Sequence, residues 1–208
     1  MDKMENYIND KSISAVEKAI GYIFRDKSLL STALKHSSYD KLENYEKLEF
    51  LGDSVLSVVI SEFLFRTHSY LLEGEMTVTR AYAVCEESLS KACRNLGIDK
   101  YILVGMSAIG AKVNTNKSVI ADAFESVIGA IYLDSGFDYV KSFIISNLNE
   151  FIVEYIKSGD NYLKYVESNF NGRYSFTNLP AGNFEIIATE LGYSTTSQKI
   201  NLQNSMDS

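Results

Sequence analysis

Over roughly the first three quarters of the chain, apolar side chains recur at the three- and four-residue steps of helices. Ile13, Val16, Ala19, Ile20 and Ile23 keep that step and predict an amphipathic first helix. A short helix is expected over Ser28–Lys35, where Leu29, Leu30, Ala33 and Leu34 are apolar. From Tyr45 to Phe65 breakers are almost absent and apolar residues fall nearly all round, which predicts a helix in the middle of a helical domain. Gly74 reads as a break, Thr77 as the N-cap of a helix reaching Leu96, and Gly97 as its C-terminal stop. After a polar loop at Asn114–Asn116, a helix is expected from Ser118 to Leu133, stopped by Asp134-Ser135-Gly136. Phe137–Ile156 reads as a last amphipathic helix.

Beyond Ser158-Gly159-Asp160 the pattern changes from helical to alternating. Tyr174/Phe176 and Phe184/Ile186 flank Leu179-Pro180-Ala181-Gly182, which holds the chain's one proline, and the stretch reads as strands joined by a tight turn. The expected organisation is an all-α domain over residues 1–158, followed by a short β-rich segment over 159–208.

Composition narrows the function classes. With 208 residues and 46% hydrophobic content, the chain suits one medium domain plus an appendage. No apolar run reaches the roughly 18 residues of a membrane span. Met1–Glu5 is polar, without the apolar segment of a secretory signal. Cys85 and Cys93 read as lying two turns apart in one helix, too far for a mutual disulfide. Neither belongs to a CxxC pair, so no zinc site is suggested and a reducing cytoplasm is the expected setting. The net charge of −7 argues mildly against an unaided grip on phosphates. Bound divalent cations would weaken that objection, because they, rather than side chains alone, would meet the phosphate.

Chemistry is concentrated in acids on helices. Glu46, Glu49 and Asp53 stand at i, i+3 and i+7, on one face of the long helix. Asp122 and Glu125 form an i, i+3 pair on a later one. Both groups sit within strongly apolar stretches, where like charges repel and lose hydration unless something compensates them. Oxygen-only ligands suit magnesium or manganese, and a water on such an ion can attack a phosphodiester. A lone acid on a helix is ordinarily a solvated surface residue, the simpler reading for Glu46. Spacing alone leaves open whether the two groups meet.

Four ordered segments carry a resemblance. Glu46-Lys47-Leu48-Glu49-Phe50-Leu51-Gly52-Asp53-Ser54-Val55-Leu56 is similar to the signature of the ribonuclease III family. Ala33-Leu34-Lys35-His36-Ser37-Ser38-Tyr39 resembles its Ala-Leu-Thr-His-x-Ser-Tyr element, with Lys35 in place of threonine. Glu73-Gly74-Glu75-Met76-Thr77 through Arg80-Ala81, and Ile120-Ala121-Asp122-Ala123-Phe124-Glu125-Ser126-Val127-Ile128-Gly129-Ala130, resemble two further elements in the expected order. Together they span about residues 10–157.

The resemblance implies a ribonuclease III-type helical endonuclease domain. It implies a magnesium- or manganese-dependent enzyme that hydrolyses double-stranded or structured RNA during RNA processing, leaving 5′-phosphate and 3′-hydroxyl ends. Such a duplex is read mostly by its A-form shape and 2′-hydroxyls. Residue by residue, Glu49, Asp53, Asp122 and Glu125 match the metal-binding acids, with Asp53 and Glu125 as catalytic residues. Glu46 and Glu73 match outer acidic positions that support the metal or substrate, and Lys117 a basic position open to a phosphate contact, with a solvated lysine the simpler reading of that residue. Phe50 matches a residue inserted into the partner subunit, which implies a homodimer, although a core aromatic is an equal reading of the residue itself. Gly52 would permit close helix approach there. For His36 a structural or substrate-backbone role is favoured over acid–base work. The alternatives are a non-catalytic RNA- or protein-binding module of the same fold, or a metal-carboxylate enzyme for small nucleotides. The intact acids favour the nuclease.

The resemblance ends with the helices. Most bacterial members continue into a double-stranded-RNA-binding domain, whereas residues 159–208 lack its Lys-Lys-x-Ala-Lys helix start and carry five acids against three bases. Gly172–Ile186 with Gly192-Tyr193 instead resembles the later half of a carboxypeptidase-regulatory-like β-sandwich module. Without the accessory domain, RNA binding is expected to be weak and steeply salt-dependent.

Overall fold

The computed structural model describes residues 10–157, 182–188 and 196–202. Backbone proximity divides the chain into two compact units that part between Tyr155 and Ile156. The first is helical, as the periodicity predicts. The helices, the last of which ends two residues past that division, are α1 (Asp10–Ile20), α2 (Lys27–Ala33), α3 (Glu46–Thr67), α4 (Glu73–Ala83), α5 (Glu86–Asn95), α6 (Met106–Gly110), α7 (Lys117–Ser135) and α8 (Phe137–Lys157). Single 3-10 turns at Ile98–Tyr101 and Val113–Thr115 link them. Among the described residues, no helix is long and apolar enough to cross a membrane.

Helix α7, rather than α3, is the central element. It packs against α2, α3 and α5 and buries Val119–Ala121, Ala123, Phe124 and Ser126–Ile131. Helix α3 buries Leu48, Val55, Leu56, Val59, Ile60 and Leu64 but leaves a stripe of Phe50, Val58 and Phe65 in solvent. The two backbones touch where they cross. A Cβ built on Gly52 would lie 1.8 Å from the Glu125 carbonyl oxygen, and one on Gly129 would lie 2.2 Å from that of Leu48. Only hydrogen side chains permit that separation.

Buried polar contacts lock the frame around α7. The Ser126 hydroxyl donates to the Ala33 carbonyl oxygen at 2.6 Å, tying α7 to α2. At its far end, buried Asp134 accepts from the Tyr22 hydroxyl and from the backbone N–H groups of Arg25 and Asp26. Buried Glu17 similarly accepts the Phe24 N–H at 3.0 Å. A single parallel bridge pairs Lys35 with Leu103 and joins the end of α2 to the segment before α6.

Three local expectations change. Helix α1 stops at Ile20, and Gly21 follows with φ +72°, so Ile23 leaves the helical face and is exposed. Helix α4 begins at Glu73, four residues before Thr77. Its cap is the Glu75 carboxylate, which accepts the Leu72 N–H at 2.6 Å, so Gly74 sits inside the first turn. The helix expected to reach Leu96 breaks at Val84–Cys85. There the Ser88 hydroxyl takes the Tyr82 carbonyl that an unbroken helix would pair with residue 86. Cys85 therefore precedes α5 while Cys93 lies buried inside it, and both thiols are free. Gly97, with φ +70°, and Gly136, with φ +87°, stop their helices as expected.

In the second unit, β1 (Gly182–Ala188) pairs antiparallel with β2 (Thr196–Leu202), from Gly182 opposite Leu202 to Ala188 opposite Thr196. Phe184 and Ile186 lie in β1. Tyr174, Phe176 and Pro180 lie outside the described residues, as does most of the stretch that resembles a β-sandwich module.

Candidate active site

The Gly52–Gly129 crossing determines which acids meet. Glu49 stands one turn before Gly52 on α3, and Glu125 one turn before Gly129 on α7, with Asp122 a further turn back. One carboxylate oxygen from each of Glu49, Asp122 and Glu125 can be chosen so that all lie within 4.8 Å of one another. All three side chains are half-buried. Two of the acids come from α7 and one from α3, so the group exists only because the helices cross here.

Its electrostatics are those of crowded like charges. Burial first, then Asp122, Glu46 and Asp53, push Glu49 up to about 7. Burial first, then Asp53, Asp122 and Glu49, push Glu125 up to about 8. Asp122 is raised by burial and by Glu86, against the lowering effect of a hydrogen bond from Tyr45 and of nearby His36. No lysine or arginine is among the groups acting on any of the three. Three half-buried oxygen ligands with no lysine or arginine acting on them fit a small, hard divalent ion such as magnesium or manganese.

The remaining sequence candidates fall around this set. Asp53 is exposed and lies outside the close group, although its charge acts on Glu49 and Glu125. Glu46 is exposed at the first turn of α3 and acts on Glu49. Glu73 is exposed on the first turn of α4, where it accepts the Thr77 hydroxyl at 3.0 Å, and it is not among the charges raising the three acids. Lys117 pairs with Glu87, which also holds Lys91 at 3.4 Å. Phe50 is 78% exposed, which removes the core-aromatic reading.

Tyr45 is the residue that sequence reasoning missed. It is buried, its hydroxyl donates to Asp122 Oδ2 at 3.4 Å, and its ring meets that of His36 edge-on with centroids 5.6 Å apart. The available signal was an aromatic directly before the first acid of α3. Nothing local connects it to a residue 77 positions away.

Comparison with known proteins adds the lineage. Residues 26–151 match the family described as Ribonuclease-III-like. The chain is 41% identical over 140 residues to Ribonuclease 3 of a Nitratiruptor species, covering 67% of this chain and 62% of that protein. It is 42% identical over 151 residues to Ribonuclease 3 of Clostridium perfringens, covering 70% and 63%. The chain thus spans a little under two thirds of these relatives' length. Among solved structures, a nuclease domain of ribonuclease III from Campylobacter jejuni superposes with a TM-score of 0.65 at 36% identity, covering 67% of this chain and 97% of that one.

Proposed function

The chain belongs to the ribonuclease III family, and from that premise we propose that it is a divalent-metal-dependent endoribonuclease of double-stranded or structured RNA. The observation that carries the reading is the convergence of Glu49, Asp122 and Glu125 across a backbone-to-backbone helix crossing. These three carboxylates would hold a magnesium or manganese ion. When bound, the ion supplies water activation and neutralises charge at the phosphodiester, which is cut to leave 5′-phosphate and 3′-hydroxyl ends. Asp53 and Glu125 are the acids assigned to the reaction itself. Glu125 holds a proton up to about pH 8 without the ion and must release it to bind one. Glu46 and Glu73 would contribute field or substrate contacts, and Lys117 a phosphate contact.

A homodimer completes the proposal. Phe50, Val58 and Phe65 line one exposed stripe of α3, and a stripe of that kind is better covered by protein than by water. The related Campylobacter jejuni nuclease domain is described as having structural flexibility in a region involved in dimer formation. With Cys85 and Cys93 both free, a reducing cytoplasm is the setting we assign.

Incubation of the full chain with duplex RNA and magnesium tests the enzyme reading, with Glu125→Gln as the informative variant. Expected are cleavage by the natural chain and a rate lower by roughly 100-fold or more in the variant, with duplex binding kept. Equal rates for both proteins would sink the site assignment. Binding without cleavage by the natural chain, where an active relative cuts, would leave a binding module.

A further inference from the structure

Of the three acids brought together, Asp122 alone is given a hydrogen-bond donor by the protein; among the described residues none reaches the carboxylates of Glu49 or Glu125. That donor is the hydroxyl of Tyr45, a residue only 3% exposed, and among the described residues Asp122 is in turn the one partner of that hydroxyl. Leaving a buried hydroxyl unpaired is costly, so the two groups constrain each other. The phenol is itself held from two directions. Its backbone N–H donates to the Lys35 carbonyl at 2.9 Å, and its carbonyl accepts the Glu49 N–H at the start of α3. Its ring lies edge-on to His36, with an interplanar angle of 80°. The His36 ring is fixed by Ser38, whose backbone N–H donates to Nδ1 at 2.9 Å. Nδ1 is the acceptor in that bond. The Ser38 hydroxyl accepts the Gly105 N–H at 3.0 Å, and the His36 N–H donates to the Leu103 carbonyl at 2.9 Å.

We propose that Tyr45 is a positioning residue, which fixes the Asp122 carboxylate for the cation through its hydroxyl while the His36–Ser38 pair braces its ring. A phenol on one oxygen of Asp122 restricts rotation of the carboxylate and keeps the other oxygen available to the ion. Partners of this kind orient metal ligands throughout metalloproteins. The proposal rests on the metal-site reading above, and the experiment separates the two.

Manganese binding to the full chain, measured by the paramagnetic resonance of free Mn2+, is compared for the natural protein, Tyr45→Phe, Asp122→Asn and the double variant. Tyr45→Phe keeps the ring against His36 and removes only the hydroxyl, so a role confined to packing leaves manganese affinity where it was. The expected result is an affinity about tenfold or more weaker in Tyr45→Phe. In the Asp122→Asn background the same change should have no further effect, because the two residues act as one unit. An unchanged affinity in Tyr45→Phe overturns the proposal, and so does a loss that simply adds to that of Asp122→Asn. If Asp122→Asn itself leaves affinity unchanged, the metal site and the role of Tyr45 fall together. If it weakens binding while Tyr45→Phe does not, only the latter falls. Should Tyr45→Phe fold poorly, His36→Phe, which keeps an aromatic edge but loses Ser38, must show a smaller loss in the same direction; no loss refutes the bracing.

Discussion

At the scale of single residues, the three converging acids make stability and cation binding depend on pH in opposite senses. Glu49 and Glu125 sit at about 7 and about 8 in the folded, cation-free site, against 4.5 for an ordinary glutamate. Below the ordinary value both folded and unfolded chains hold these protons. From there up to about 7 for Glu49 and about 8 for Glu125 the folded chain still holds the proton that the unfolded chain releases, so stability falls as pH rises through those windows and levels off above them. A divalent ion reverses the penalty, because the deprotonated carboxylates become its ligands. In chelator, the thermal midpoint followed by circular dichroism should fall between about pH 5 and pH 8.5, with magnesium restoring it more at the upper end. Glu125→Gln should flatten the chelator profile; a profile as steep as the natural one would mean Glu125 does not carry the charge stress. Spacing placed these acids on the faces of two helices, and the family resemblance, not the spacing, grouped Glu49, Asp122 and Glu125 across them. The exposure of Asp53, amid apolar neighbours, and the bond from Tyr45 were legible from neither, since both depend on how a distant helix is turned.

Between elements, the separation of the acids is a backbone property. Gly52→Ala would drive a methyl to within 1.8 Å of the Glu125 carbonyl oxygen, and backbone cannot yield as a side-chain tip can. The expected cost is about 3 kcal/mol, with manganese affinity falling alongside because α3 must move away from α7. Chemical denaturation and metal titration of the same protein check both; a stable variant with unchanged affinity would contradict the geometry. Most helices and their boundaries followed from apolar periodicity and from the stops at Gly97 and Gly136. The break at Cys85 did not, because a side-chain bond from Ser88 ends α4 within a stretch of ordinary helix formers. The start of α4 was misplaced for a related reason: a glutamate at the third position caps it, while a threonine looked like the cap. Which long helix occupies the centre was also hidden, since α3 and α7 are both apolar nearly all round and differ in whether large residues remain outside.

For the whole molecule, the exposed stripe of α3 bears on assembly. Phe50→Glu should shift sedimentation at micromolar concentration from dimer to monomer and lower the thermal midpoint only by what association had supplied, because a residue 78% exposed contributes little to its own subunit's core. A natural chain that sediments as a monomer would remove the homodimer, and a Phe50→Glu variant that stays dimeric would move the interface elsewhere. Charge acts at this scale too, through Glu87, which clasps both Lys91 and Lys117. If Lys117 makes the phosphate contact proposed above, an arriving phosphate would displace a tethered carboxylate instead of liberating a mobile salt ion. Little mixing entropy is gained in that exchange, and affinity at this contact gains less from dilution of the buffer than a naked lysine would provide. Glu87→Gln should therefore steepen the slope of log affinity against log salt by roughly one for each lysine set free. An unaltered slope would mean that neither amine meets the polyanion, and that the acid merely ties two helices together.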